Sequence, residues 1–366
     1  FLPSPFVIAL LLTATTMLLA WCYGDFGPET DAVSGILRSW EKGLWNRELL
    51  VFAYQMMLIL VLGHVLVLSP PMERLIRGIT GLVRNGAQAA VLVAAPTMLV
   101  SFFNWGLGLI FGAILARKVG EHAQRQGMDL NYPLIGACGY LGLMVWHGGI
   151  SGSAPIKAYI RCHIKRLLAG IWPEADLASL PDALPASETI FSSWNLGIFG
   201  TVLIALSLLA YALGKKQRSS VLVFPQRQQA EQRKAVSGAE RLDRSRLLAM
   251  LFAALIFIAF LLQYLPELHQ LNLTPDMLNF FMLGLAILLH GSVSGFLGAV
   301  ESAIGDTAGI LIQFPLYFGI MGIMNESGLV HQISDFFVSV GTERSFPVFT
   351  FFSTGLVNVF VPRGGG

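Results

Sequence analysis

Charged residues are scarce in this chain. Of its 366 residues only 13% are charged and 54% are hydrophobic, and the mean hydropathy is +0.65. A soluble globular protein carries about 25% charged residues. The deficit accompanies repeated apolar runs near the ~20 residues that a helix needs to cross a bilayer, so we predict an all-α polytopic membrane protein. Basic residues flank the apolar runs and build no separate basic domain, so we expect no nucleic-acid partner.

Cysteines and catalytic motifs are also few. The three cysteines, Cys22, Cys138 and Cys162, are odd in number and form no CxxC pair, so we expect neither a disulfide framework nor a metal site. The sequence has no GxSxG, Walker loop or HExxH, and no pair of intramembrane aspartates. We therefore expect no enzymatic activity and no cofactor.

One apolar run is interrupted. Residues 132–155 read YPLIGACGYLGLMVWHGGISGSAP, with glycines, serines and a proline clustered in the second half. Such residues unwind a helix, and in hydrocarbon the freed backbone groups must face protein, a watery cavity or a ligand. Freed N–H groups at the start of the following half-helix suit a small carboxylate, and carbonyls at the end of the preceding half suit a cation. The alternative is a kinked helix packed on small-residue neighbours.

A second interruption lies in residues 87–118. Pro96 is followed by Ser101 and then by Asn104 in the sequence NWGLG, which predicts a re-entrant hairpin with Asn104 at its tip. Thr97 and Ser101 precede Asn104 by seven and three residues, so the three share one helical face and could converge on one site. Local capping of a broken helix by serine and asparagine is the alternative.

His147 stands at the break in the first interrupted run. An ionisable group within a membrane segment is a functional candidate, and histidine titrates in the range that a proton-coupled carrier uses. A neutral histidine that donates to a freed carbonyl fits equally well. Without a nucleotide-binding loop, energy would come from an ion gradient, with a proton or Na⁺ as the coupling ion, unless transport is passive.

The charge distribution divides the chain. Loop 214–246 holds nine Lys and Arg residues and loop 266–277 holds none, so the first is predicted to be a cytoplasmic linker. The first half, 1–213, contains the hairpin 87–118 and a broken helix at 132–168. The second half, 247–366, contains a predicted hairpin at 306–325 and a broken helix at 345–366. Residues 86–96 (GAQAAVLVAAP) and 305–315 (GDTAGILIQFP) echo each other, which favours two structural repeats of undecided relative orientation.

Several ordered motifs resemble the bacterial short-chain fatty acid transporter family. They are 104–108 (NWGLG), 146–155 (WHGGISGSAP), 187–191 (SETIF) before Trp194-Asn195-Leu196, 313–322 (QFPLYFGIMG), and 357–362 (VNVFVP) with the glycines that follow. The resemblance implies uptake of short monocarboxylates such as butyrate or acetoacetate across the bacterial inner membrane. It also implies a dimeric elevator-type carrier, in which a scaffold holds two hairpins and two broken helices around the substrate.

The break and the resemblance together predict the site. The expected substrate-binding residues are Asn104, Trp105, Gly106, His147, Gly148, Gly149, Ser151, Gly152, Ser153, Asn358, Pro362, Gly364 and Gly365. The expected ion-coupling residues are Ser101, Asn104, His147 and Asn358.

Arg363 departs from the family pattern, where we expect a small serine-like residue, and further residues of the second break are expected beyond Gly366. The alternatives are a carrier of dicarboxylates or other small organic anions and, from a different class, a membrane-embedded enzyme or receptor.

Overall fold

The computed structural model describes residues 3–27, 30–159, 162, 164–165, 174–216, 240–269, 273–342 and 345–360. Within these ranges the secondary structure is helical and contains no strand. Among the described residues, six apolar helical ranges are long enough to cross a membrane: Pro5–Tyr23, Arg47–Val67, Gly86–Phe103, Ser193–Lys215, Arg246–Leu268 and Val293–Glu326. The prediction of an all-α polytopic membrane protein is confirmed.

Within the described ranges the helices follow one another along the chain in a simple order. They are α1 (Pro5–Tyr23), α2 (Ala32–Leu44), α3 (Arg47–Val67), α4 (Pro70–Gly81), α5 (Gly86–Phe103), α6 (Trp105–Gln126), α7 (Tyr132–Tyr140), α8 (Ser153–Tyr159), α9 (Glu174–Ser179), α10 (Ser193–Lys215), α11 (Glu240–Asp243), α12 (Arg246–His269), α13 (Pro275–His290), α14 (Val293–Ala303), α15 (Ala308–Glu326), α16 (Leu329–Val340) and α17 (Phe346–Phe360). Short 3₁₀ turns occupy Leu141–Met144, Trp146–Gly148 and Ile304–Thr307.

Side-chain caps determine where several helices begin. Asn85, Asn104, Asn131, Ser192 and Thr274 each accept a hydrogen bond from a backbone N–H in the first turn of the helix that follows. Such caps satisfy N–H groups that have no partner within the helix, and each typically contributes about 1 kcal/mol. The helix starts are therefore encoded locally.

The chain forms two compact units. The first comprises residues 1–57, 168–178 and 306–366. Its core contains Ala20, Ile36, Ile323 and Leu329, where α15 packs against α1 and α2. The contact between α15 and α2 is close, because a Cβ added to Gly322 would lie 2.3 Å from the carbonyl oxygen of Ser39.

The second unit comprises residues 58–167 and 179–305. In this unit α5 packs against α6, α7 and α10, and α12 packs against α13. Ala249, Ala253, Ile256 and Ile287 form the buried contact between α12 and α13. Both interruptions of the first half of the chain lie in this unit.

The second half differs from its prediction at one place. Residues 306–325 were predicted to form a hairpin, but α15 runs without a break over Ala308–Glu326 with Pro315 inside it. A proline kinks a helix and removes one hydrogen bond, but it does not reverse the chain, and no extended residue comparable to Asn104 stands in this range. Of the broken helix predicted at 345–366, the structure describes residues 345–360, where α17 occupies Phe346–Phe360. Residues 361–366 lie outside the described residues, so the predicted break is not tested. Residues 217–239 of the predicted linker lie outside the described residues.

Candidate functional site

A single residue joins α5 to α6. Asn104 has an extended backbone, with φ −149° and ψ 122°. Its N–H donates to the Val100 carbonyl at 2.9 Å, its carbonyl accepts from the Gly108 N–H at 2.9 Å, and its Oδ1 accepts from the Leu107 N–H at 2.7 Å. Asn104 thus ends one helix and begins the next. This explains why the polar residue stands at this point of an apolar run.

The two helices fold back on each other around Asn104. A Cβ added to Gly108 would lie 1.9 Å from Ser101 Oγ, and one added to Gly112 would lie 2.6 Å from Thr97 Cγ2. Residues 101 and 108, and 97 and 112, are equally spaced about the tip, so α5 and α6 run antiparallel. Glycine is required at these positions of α6 because the helices approach so closely.

The broken segment packs against the same residues of α5. A Cβ added to Gly142 would also lie 1.9 Å from Ser101 Oγ, so the hydroxyl is held between the Cα atoms of Gly108 and Gly142. Ser101 and Thr97 are both 0% exposed, and among the described residues neither hydroxyl has a hydrogen-bond partner. Most buried polar groups in proteins are paired, so two neighbouring unpaired hydroxyls need an explanation.

The break itself rests on the hairpin tip. After α7 the chain forms two 3₁₀ turns and is extended at Gly149, before α8 begins at Ser153. The Ile150 N–H donates to the Phe102 carbonyl at 2.8 Å, and the Trp105 N–H donates to Ser151 Oγ at 2.8 Å. The interruption predicted at residues 132–155 is therefore an unwound segment that pairs with the end of α5 and the start of α6.

Asn195 holds the other side of the break. Its Nδ2 donates to the Gly148 carbonyl at 2.8 Å and to the Ile190 carbonyl at 2.7 Å. A Cβ on Gly148 would lie 2.4 Å from Asn195 Oδ1, so only glycine fits beside this amide. Asn195 stands within one of the motifs that carry the family resemblance, but no role was predicted for it. The signal available was an amide near the start of an apolar helix.

Aromatic rings flank the tip and the break. The ring centroids of Trp105 and Trp146 are 5.8 Å apart, and those of Trp146 and His147 are 4.0 Å apart. Trp146 is 9% exposed, whereas His147 is more open. The site therefore has aromatic surface beside its polar backbone groups.

Met282 contacts Asn104, and the sequence analysis did not predict this contact. Asn104 Nδ2 lies 3.2 Å from Met282 Sδ, and both residues are 0% exposed. Met282 lies in α13, 178 residues further along the chain. It belongs to a plain apolar helix with no pattern that marks it.

The predicted site residues separate into three groups. The second unit brings together Asn104, Trp105, His147, Gly148, Gly149, Ser151 and Gly152, with Ser101 directly beneath them. Gly106 belongs to the tip but faces α3, since its Cβ would lie 2.9 Å from the Leu60 Cα. Ser153 and Asn358 are described as helical backbone only, and Pro362, Gly364 and Gly365 lie outside the described residues.

The donor set limits what the site can bind. Residues 101–108 and 141–152 contain no Lys or Arg, and their polar groups are an amide, hydroxyls, an imidazole, two indole N–H groups and backbone groups. Among the described residues no cluster of His, Cys, Asp or Glu is suited to a metal ion. Hydroxyl and carbonyl oxygens can hold Na⁺, and neutral N–H donors can hold one carboxylate.

Apolar helices around a polar break within the chain define a multi-pass membrane protein. The sequence profile described as short chain fatty acid transporter matches residues 1–366. A protein of Escherichia coli (strain K12) named "Putative short-chain fatty acid transporter" is 35% identical over 372 residues, covering 100% of this chain and 79% of its own length. A protein of the same name from Haemophilus influenzae (strain ATCC 51907 / DSM 11121 / KW20 / Rd) is 35% identical over 376 residues, with the same coverage.

The chain belongs to the short chain fatty acid transporter family. No solved structure matches it. The recognition made from the ordered motifs is confirmed.

Proposed function

We propose that the chain imports short monocarboxylates of the butyrate or acetoacetate type by secondary active transport. The observation that carries this proposal is the buried Asn104 amide, whose Nδ2 has a thioether as its partner among the described residues. A carboxylate oxygen is a stronger acceptor than sulfur, and a charged acceptor makes a hydrogen bond roughly twice as strong as a neutral one. The amide is thus available to an anionic substrate.

The broken segment would provide further contacts to the carboxylate and to the alkyl chain of the substrate. Ser151 Oγ already accepts from the Trp105 N–H, so its own proton is available to a ligand. The Trp105 and Trp146 rings offer apolar surface for the alkyl chain of the substrate. A second carboxylate would find no Lys or Arg in residues 101–108 or 141–152, which favours monocarboxylates over dicarboxylates.

Two coupling ions are compatible with the site. The unpaired hydroxyls of Thr97 and Ser101 are oxygen ligands of the kind that Na⁺ uses, and His147 could carry a proton. Ser101 Oγ is held tightly between Gly108 and Gly142, so a bound Na⁺ would lie to one side of this pair. Uptake measured against external Na⁺ at constant pH, and against pH without Na⁺, separates the two ions.

The family resemblance supports the remaining parts of the proposal. Asn358, Pro362, Gly364 and Gly365 of the second half would contribute to the site, and alternating access would follow an elevator movement in a homodimer. The mass of the purified protein in detergent tests the dimer. Butyrate uptake by Asn358→Ala tests the contribution of the second half.

The test of transport uses the full-length protein in liposomes with labelled butyrate. We expect uptake above that of empty liposomes when a Na⁺ or proton gradient is imposed. Asn104→Asp keeps the oxygen that caps α6 but replaces the donor with a second oxygen, so uptake should fall at least ~10-fold. Asn85→Asp is the matched control, because Asn85 caps α5 in the same way and is exposed. Absence of wild-type uptake under either gradient would refute the proposal.

A further inference from the structure

The Asn104 side chain is constrained at both ends of its amide. Its Oδ1 accepts the Leu107 N–H at 2.7 Å and so caps α6, which fixes the rotation of the side chain. Its Nδ2 must then point the opposite way, to Met282 Sδ at 3.2 Å. Any ligand that takes a hydrogen bond from this amide has to approach from the side that the sulfur occupies.

The sulfur is a poor partner for such a donor. A primary amide offers two N–H donors, while a thioether is a weak acceptor. Both side chains are 0% exposed and are thus removed from bulk water. The contact therefore joins a strong donor to a weak acceptor.

Methionine is suited to a contact that breaks and reforms. Its side chain is unbranched, has three rotatable bonds and fills irregular spaces at low cost. Met282 stands within α13, which is packed against α12 through Ile287 and whose last residue, His290, lies 2.8 Å by Nε2 from the Val65 carbonyl. The helix is anchored, so the side chain is the part that can move.

We propose that Met282 is a placeholder at the substrate site: its sulfur holds the Asn104 amide when the site is empty, and the substrate carboxylate displaces it. This inference rests on the proposed function, in which Asn104 binds the carboxylate. Met282 is thus a positioning residue that sets the apparent affinity by competing with the substrate for one donor. Substrate binding at Asn104 would therefore change the contact between the hairpin tip and α13.

The test compares two substitutions at Met282 in the full-length protein in liposomes, with labelled butyrate. Met282→Leu keeps the volume but removes the acceptor, so the KM should fall about two- to five-fold, the factor that corresponds to a weak neutral hydrogen bond. Met282→Gln supplies a stronger acceptor and should raise the KM about five- to ten-fold. Met277→Leu is the matched control, because Met277 is a buried methionine of the same helix, 2% exposed.

The outcomes separate this inference from the proposed function. If the wild type transports no butyrate, the proposed function fails. If the wild type transports it and both Met282 variants keep the KM of Met277→Leu, or Met282→Leu raises it, the placeholder role is refuted. A lower Vmax with an unchanged KM indicates a structural role only and also refutes it.

A measurement on the wild type needs a variant only to assign one signal. The ¹³C-methyl signals of its methionines should include one, absent from the Met282→Gln spectrum, that shifts when butyrate is added. If no methionine signal shifts under conditions that saturate transport, the sulfur is not displaced.

Discussion

Gly149 is the position where one methyl group tests whether the broken segment is docked on the hairpin tip. A Cβ there would lie 2.3 Å from the Phe102 carbonyl oxygen and 3.0 Å from its carbon. Carbon and oxygen atoms need about 3 Å or more, so Gly149→Ala must displace the segment by roughly 1 Å. The segment cannot move that far and keep its hydrogen bonds.

The loss of two hydrogen bonds sets the expected size of the effect of Gly149→Ala. The Ile150 N–H to Phe102 carbonyl bond and the Trp105 N–H to Ser151 Oγ bond are each 2.8 Å long. Neutral hydrogen bonds contribute about 0.5–1.5 kcal/mol each, so losing both costs the docked arrangement about 1–3 kcal/mol. At 1.4 kcal/mol per factor of ten, butyrate uptake by Gly149→Ala should fall about 5- to 150-fold.

Gly136→Ala provides the matched control for this experiment. Gly136 lies in α7, in the same interrupted run, and a Cβ added there meets nothing within 4 Å. Initial rates of labelled butyrate uptake are compared at equal amounts of protein in the liposomes. Equal rates for Gly149→Ala and Gly136→Ala would show that the segment is not held against Phe102, and the docked arrangement of the site would be wrong.

Three further predictions follow from the same contacts. Asn195→Asp replaces two donated hydrogen bonds with an oxygen facing the Gly148 carbonyl, so uptake should fall at least ~10-fold. Asn195→Gln keeps an amide donor and should retain part of the uptake. Ser101→Ala removes a buried hydroxyl without a partner, so the Tm in detergent should stay equal or rise by a few degrees, while any dependence of uptake on Na⁺ should weaken; a lower Tm would contradict this. Gly322→Ala places a Cβ 2.3 Å from the Ser39 carbonyl oxygen and should destabilise the first unit by about 1–3 kcal/mol. Its Tm should therefore be lower than that of Gly305→Ala, whose added Cβ meets nothing within 4 Å.

Local chemistry made much of the first half predictable. Asn104 stands out because a polar residue within an apolar run can end one helix and cap the next, and the structure places it in that role. The glycine-rich break was predictable because glycine and serine at membrane depth need a partner for the freed backbone. The partner itself was not: Ile150 pairs with Phe102, and Ser151 with Trp105.

The second half was less predictable because its local sequence pattern fits more than one structure. Its echo of the first half, with Pro315 in the place of Pro96, suggested a hairpin at 306–325, yet α15 is continuous there. The echo covers an apolar stretch and its proline, which fit a single kinked helix as well as a hairpin. The residue that turns the chain in the first half, Asn104, has no counterpart within α15.

The sequence by itself determined the class of membrane protein, the turn at Asn104 and the position of the break, because hydropathy, caps and glycine act over a few neighbouring residues. Only the tertiary structure decided which groups meet at the site. Ser101 lies between Gly108 and Gly142, Asn195 binds the carbonyl of Gly148, and Asn104 meets Met282. Apart from Gly108, these partners are 41 to 178 residues apart in the chain, and the packing of helices brings them together without a periodic signal in the sequence.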